Sequence, residues 1–204
     1  MMYLSNLPTG ALAHVSSYLA APSRALFAVA LDHRDVDSSS AIAGDDWEAL
    51  DFGDIEKDLA AKLSDDDISG VLLSIDAVNN LKKLRLTNCI NISGAGLDPL
   101  RGSTIIQHID LSLVGDHESA KLDPEPPISC AEVLPILDSI IERGEDCSLE
   151  HLQFPNEWRK ERNTEPDFHA FLTRYNDYLS RQAVVCLKCR CNLPGDERTG
   201  DGHM

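Results

Sequence analysis

Aromatic residues are scarce in this chain. Phe, Tyr and Trp together make up 5% of its 204 residues, so a core has to be built from Leu, Ile, Val and Ala. Long apolar runs are missing as well. None approaches the roughly 18 to 20 residues that a helix needs to cross a bilayer. The segment Met1–Pro8 has no basic stretch followed by an apolar one, so no secretory signal is expected. The six cysteines are scattered and do not suggest the disulfide framework of a small secreted domain. Cytoplasm or nucleus is the expected location. Positive charge is short, with 18 Lys and Arg against 34 Asp and Glu and a net charge of −16, which argues against nucleic acid and anionic membrane as partners. Catalytic signatures are lacking too: there is no G-x-S-x-G, no H-E-x-x-H, no P-loop and no dinucleotide fingerprint. The carboxylates lie in acidic runs instead of facing each other in apolar surroundings that would shift their pKa values. No catalytic residues are expected, and binding is the expected mode of action.

What is present falls into zones. Residues 1–31 carry a single ionised side chain, Arg24. Thr9 can cap a helix whose Leu12, Val15 and Leu19 share one face. Pro22 and Ser23 are expected to end it and start a second helix over Arg24–Leu31. Two apolar helices of this length cannot stand alone and must pack on the next zone or on a partner. Residues 32–46 form a polar, acidic linker. From Asp32 to Asp76 fourteen acids face three bases, most simply a solvated face and a polar linker, with attraction to a basic partner as the alternative.

The zone 47–155 carries a recurring pattern. Leu81-Lys82-Lys83-Leu84-Arg85-Leu86-Thr87-Asn88-Cys89 continues through Ile92, Leu97 and Leu100. Leu84 and Leu86 alternate inward on a short strand, and Cys89 supplies a small side chain where the chain turns away. Ile92, Leu97 and Leu100 then bring a helical segment back over the core. Ile106-Gln107-His108-Ile109-Asp110-Leu111 repeats the strand 25 residues on. Leu149–Phe154 is a third copy and Trp47–Phe52 an earlier one, at spacings of 43 and 34. The longer gap contains the proline-rich excursion Leu122–Pro127. Ser64 caps a helix with Asp65, Asp66 and Asp67 in its first turn, where the helix dipole favours anions. Ser129 starts another, running through Val133, Leu134, Leu137, Ile140 and Ile141 to Gly144, although Pro135 could delay its start.

This pattern resembles the cysteine-containing class of leucine-rich repeats. The expected fold class is therefore α/β, a short solenoid with parallel strands on the concave side and helices on the convex side. The first zone is similar to an F-box: Leu7, Pro8, Leu12, Val15, Tyr18, Leu19, Pro22, Arg24, Leu26 and Val29 follow its LP, spaced-apolar, YL and P order. The resemblance implies that Leu7, Pro8, Leu12, Val15, Leu19, Pro22 and Leu26 dock on a Skp-type adaptor of a cullin ubiquitin ligase, and that the repeats bind a protein substrate. An F-box normally continues into a third helix, whereas here the acidic linker follows Leu31. A helical cap over the first repeat is the alternative role.

Aligning the copies places Asp51, Arg85, Asp110 and Gln153 in one outward row. Ala49, Lys83, His108 and His151 form a second. These rows serve either as cross-strand pairing or as a substrate-facing surface made of Asp51, Lys83, Arg85, His108, Asp110, His151 and Gln153. In residues 156–204, Phe168, Phe171, Leu172, Tyr175 and Leu179 line one face of a helix that caps the last repeat. Cys186, Cys189 and Cys191 follow in a flexible tail. A C-x-x-C turn can bring two thiolates to one zinc ion. Free thiols kept partly ionised by Lys188 and Arg190 are the other reading.

Overall fold

A computed structural model describes residues 8–32, 47–113, 128–155, 158 and 166–189. Asp32, the first residue of the expected linker, belongs to a helix, whereas residues 33–46 of that linker, the proline-rich excursion, Leu7, Cys191 and the end of the tail lie outside the described residues. The architecture is α/β. Four short strands, β1 (Ala49–Asp51), β2 (Lys83–Arg85), β3 (His108–Asp110) and β4 (His151–Gln153), form a parallel sheet in the order of the sequence. The register pairs Leu50 with Leu84, Leu84 with Ile109 and Ile109 with Leu152.

Each strand buries its middle residue and turns its flanking residues outward, the period-two consequence of a pleated backbone. Three sets of apolar residues are buried at matching positions. They are Trp47, Leu81, Ile106 and Leu149 before the strands; Leu50, Leu84, Ile109 and Leu152 within them; and Phe52, Leu86, Leu111 and Phe154 after them. Each burial stabilises by about 2 kcal/mol against an exposed chain. The same backbone device joins successive strands. The Glu48 carbonyl accepts from the amides of Lys82 and Lys83, that of Lys82 from Gln107 and His108, and that of Gln107 from Glu150 and His151.

Helices cover the inner face. Helices α1 (Thr9–Ser16) and α2 (Ala21–Asp32) precede β1. Helices α3 (Lys57–Ala60), α4 (Asp65–Ser74) and α5 (Ala77–Asn80) lie between β1 and β2. Helix α6 (Cys130–Ile141) precedes β4, and α7 (Pro166–Cys189) follows it. Among the described residues, no helix is long and apolar enough to cross a membrane. Ser64 caps α4 through a reciprocal box: the Asp67 amide donates to Ser64 Oγ, and the Ser64 amide donates to Asp67 Oδ2. Asp65 reaches across to the loop after β2. Its carboxylate accepts from the amides of Ser93, Gly94 and Gly96 and from Ser93 Oγ, at 2.8–3.0 Å. Gly96 permits this approach, because a Cβ there would lie 2.5 Å from the Asp65 carbonyl oxygen.

Several local expectations change. Thr9 is the first residue of α1, not its cap. Pro8, whose ring fixes φ, precedes the helix, and its carbonyl accepts from Ala11 and Leu12. Pro22 and Ser23 lie in the first turn of α2, which starts at Ala21. A proline there gives up an amide that would have no helical partner anyway. The returning segment after β2 is a 3-10 helix, Ala95–Leu100. Pro99 inside it has no amide to complete an α-helical turn. Ser129 does cap α6, accepting from Ala131, and Pro135 sits inside the helix. This helix stops at Ile141, and Gly144 adopts a left-handed φ of 62°. The cysteine turn is not found: α7 runs on through Cys186 to Cys189, in a stretch without glycine or proline to stop it.

Candidate functional site

The exposed face of the sheet carries the outward residues of all four strands in the two expected rows. Asp51 pairs with Arg85, Arg85 with Asp110 and Asp110 with Gln153. Ala49 pairs with Lys83, Lys83 with His108 and His108 with His151. In the first row Arg85 sits between two carboxylates, with Nη1 3.1 Å from Asp51 Oδ2 and Nε 3.5 Å from Asp110 Oδ2. All three side chains are partly exposed, so each pair contributes at most about 1 kcal/mol.

Both carboxylates are also held by their own backbone. Asp51 Oδ1 accepts from the Gly53 amide at 2.8 Å and from Thr87 Oγ1 at 3.1 Å, and Asp110 Oδ1 accepts from the Ser112 amide at 2.8 Å. An aspartate bonded to the amide two residues on is an Asx turn, which fixes the side chain as the strand ends. Asp51-Phe52-Gly53 and Asp110-Leu111-Ser112 carry that signal in their spacing, independently of the alignment of the rows. Thr87 was likewise missed, since nothing local marks it as a donor to a residue 36 positions away.

In the second row Lys83 and His151 are exposed and His108 is half-buried. The two imidazole rings lie 5.7 Å apart, tilted by 34°. His108 Nδ1 is buried and has no hydrogen-bond partner. A further cross-strand pair lies at the strand entrances, where Lys82 Nζ donates to Glu48. The hydrogen bond from Lys82, and then its positive charge, hold the Glu48 carboxyl below its ordinary value. Below the face, burial first and then the nearby Asp51 charge push the Cys89 thiol up to about 12. At neutral pH that thiol is a packed apolar group whose Sγ faces the Thr87 carbonyl at 3.8 Å.

The predicted adaptor-docking residues do not form one exposed patch. Leu12 and Pro22 are buried, Leu19 is half-buried, and Leu26 packs against the main core. Pro8 and Val15 are exposed, as is Tyr18, whose ring meets His14 edge-on at 5.2 Å. Leu12 instead joins Ala28 and Leu31 in a small cluster, with Phe27 against it. Helix α2 turns its other side to the main core through Ala25 and Val29. The Arg24 guanidinium lies 4.5 Å from the centre of the Trp47 ring, a cation–π contact worth about 1 kcal/mol where partly exposed. Among the described residues, no group of three or more His, Cys, Asp or Glu is arranged to hold a metal ion. Cys186 and Cys189 lie three residues apart on a helix, and Cys191 lies outside the described residues. No protein-family model matches the chain, and neither a curated protein nor a solved structure matches it.

Proposed function

We propose that this chain is a non-catalytic protein-binding adaptor built on a short leucine-rich-repeat solenoid, and that it serves as the substrate-recognition subunit of an SCF-type ubiquitin ligase. One observation supports the binding part above all. Four strands follow one another in a parallel sheet with matching inward and outward positions, and the outward positions make an exposed surface of polar side chains. Helices bury the opposite face, and the outward residues of the strands are exposed or partly exposed among the described residues. The ubiquitin-ligase part rests on the F-box resemblance of residues 7–29. In this reading Skp-type adaptor contacts come from the exposed side of α1, at Val15 and Tyr18.

A second reading draws on the packing of α2. With Ala25 and Val29 in the main core and Arg24 over Trp47, these helices serve equally well as the cap that a repeat array needs at its end. The chain is then a stand-alone interaction scaffold. Co-purification with the Skp-type adaptor separates the two. Leu12→Asp is a poor probe, because it puts a charge into a buried cluster. Val15→Asp and Tyr18→Asp alter exposed positions and leave the packing intact. Stoichiometric capture of the adaptor by the full chain, lost in the Val15→Asp/Tyr18→Asp variant, is the expected outcome. Failure of the folded wild-type chain to bind the adaptor at micromolar concentration sinks the ligase reading.

A further inference from the structure

We propose that the outer edge of β4 takes up an extended peptide segment of a partner protein as a fifth parallel strand. This rests on the reading of the chain as a protein-binding adaptor and names the site and the conformation in which the partner is held. The hydrogen bonds between strands repeat along the sheet. At the strand entrances the carbonyls of Glu48, Lys82 and Gln107 each accept from two successive amides of the next strand. At the exits the Leu86 amide donates to the Asp110 carbonyl, and the Leu111 amide to the Gln153 carbonyl. The next members of these series are the Glu150 carbonyl and the Phe154 amide, and neither has a partner among the described residues. Alternate residues of a parallel strand bond to opposite neighbours. His151, whose amide donates to the Gln107 carbonyl, faces β3, so the amide and carbonyl of Leu152 face the open side.

The carbonyls of Glu150 and Leu152 and the amides of Leu152 and Phe154 therefore form one open row. Unpaired groups along a strand edge are a template for another strand. The aromatic residues at this end close the apolar layer beneath β4 but leave its edge alone. Trp158 Nε1 donates to the Ile128 carbonyl, and Tyr178 Oη to the Cys147 carbonyl. The side chains record the missing neighbour. Leu152 is 9% exposed where Leu50, Leu84 and Ile109 are at most 1%, and Phe154 is 7% exposed where Phe52, Leu86 and Leu111 are 0%. The chemistry of the occupant follows from this row. Acceptors and donors alternating along an extended edge are matched by an extended backbone, and not by a helix, whose own amides and carbonyls are paired. Two entry amides on one carbonyl is the arrangement that this sheet makes with a parallel neighbour. A second copy presenting its own β4 across a two-fold axis would run antiparallel. As in the strands within the sheet, the added segment carries an apolar residue beside Leu152 and polar residues beside His151 and Gln153. It has no proline where an amide must donate.

The test uses the full chain and peptides selected from a phage-displayed library of random dodecapeptides, then synthesised. Amide hydrogen exchange is followed by NMR with and without saturating peptide. The expected result is that exchange slows about tenfold or more at Leu152 and Phe154, while His151 and Gln153, whose amides already face β3, keep their rates. Methylating the peptide backbone nitrogens one at a time should weaken binding about tenfold at alternate positions and leave those between unchanged. A spin label on the peptide N-terminus should broaden the signals around Glu150 more than those around Phe154, as a parallel strand requires. Peptides that bind and shift the signals of Lys83, Arg85 and His108 without protecting Leu152 and Phe154 keep the binding reading and overturn the edge site. Protection of Leu152 and Phe154 that grows with protein concentration alone, with a dimer in sedimentation, makes a second copy the occupant and overturns the proposal. Absence of any peptide that binds the folded chain at millimolar concentration overturns the edge site and the binding reading together.

Discussion

At the scale of single residues, Asp65 does more to hold the fold than its place in an acidic run suggests. The first turn of α4 accounts for one function of such a residue, its interaction with the helix dipole. The structure adds a second, because the carboxylate receives four hydrogen bonds from Ser93, Gly94 and Gly96 and ties α4 to the loop after β2. Burial pushes this carboxyl upward, but the donations from Ser93, Gly96 and Gly94 outweigh it and hold it below its ordinary 3.8. Hydrogen bonds to a charged group are worth about 1.5–3 kcal/mol when removed. Asp65 is partly solvated, so we expect Asp65→Ala to cost about 2 kcal/mol at pH 7, measured by urea unfolding. A carboxyl lowered on folding stabilises the protein above its unfolded value. That contribution fades as pH falls through the lower folded value. The gap between wild type and Asp65→Ala should therefore narrow below about pH 3.8. Equal stability at pH 7 would show that the four bonds contribute nothing net, and a gap that persists unchanged into acid would show that the contribution does not depend on the carboxylate's charge.

At the scale of elements, α6 contains a test of how far tertiary packing overrides local preference. Its inner face buries Val133, Leu134, Ile136, Leu137, Ile140 and Ile141. That packing sustains the helix although Pro135 lies beyond its first turn. Proline there removes the hydrogen bond to the Ala131 carbonyl and crowds it, at a cost of about 3 kcal/mol, partly offset by about 1 kcal/mol because proline stiffens the unfolded chain. Pro135 is exposed, so its ring contributes little burial in return. Arg101 Nη1 donates to the Pro135 carbonyl, a backbone group that any residue keeps. Pro135→Ala should thus raise stability by about 2 kcal/mol, seen as a higher urea midpoint at unchanged slope. A lower midpoint would mean that the proline shapes α6 to fit its neighbours. Element boundaries were the least legible part of the sequence for the same physical reason. The alternation of Leu84 with its outward neighbours dictates a strand wherever it occurs, and the cap at Ser64 is a local hydrogen-bond pattern. Where α6 stops, and that Ala95–Leu100 winds as a 3-10 helix, depend on what each segment meets in space.

At the scale of the whole molecule, the outward rows were legible because register follows from alignment. Once Leu50, Leu84, Ile109 and Leu152 share an inner layer, Arg85 has to fall between Asp51 and Asp110. The fate of the N-terminal segment was not legible, since apolar residues that dock on a partner and apolar residues that dock on their own chain have the same periodicity. Leu12 and Pro22 are of the second kind. The two ends of the sheet are consequently sealed to different degrees. At the β4 end, Phe154 is ringed by Trp158, Phe168 and Phe171, Tyr178 Oη donates to the Cys147 carbonyl, and Arg174 grips Asp138 with two hydrogen bonds. Phe154, Trp158, Phe168 and Phe171 all belong to the main core. At the β1 end, α2 shares that core, but α1 is attached through the separate cluster of Leu12, Ala28 and Leu31. Elements joined to a fold by few buried contacts open alone, at a fraction of the global free energy. We therefore expect native-state hydrogen exchange in Leu12→Ala to accelerate in α1 while the Leu84 region of β2 keeps its protection. Phe171→Ala, which removes a buried ring worth about 3–5 kcal/mol, should lower protection across the sheet as one unit. Loss of β2 protection in Leu12→Ala would show that α1 and the sheet unfold together. The exposed side of α1 would then be as rigid a surface as the strand face.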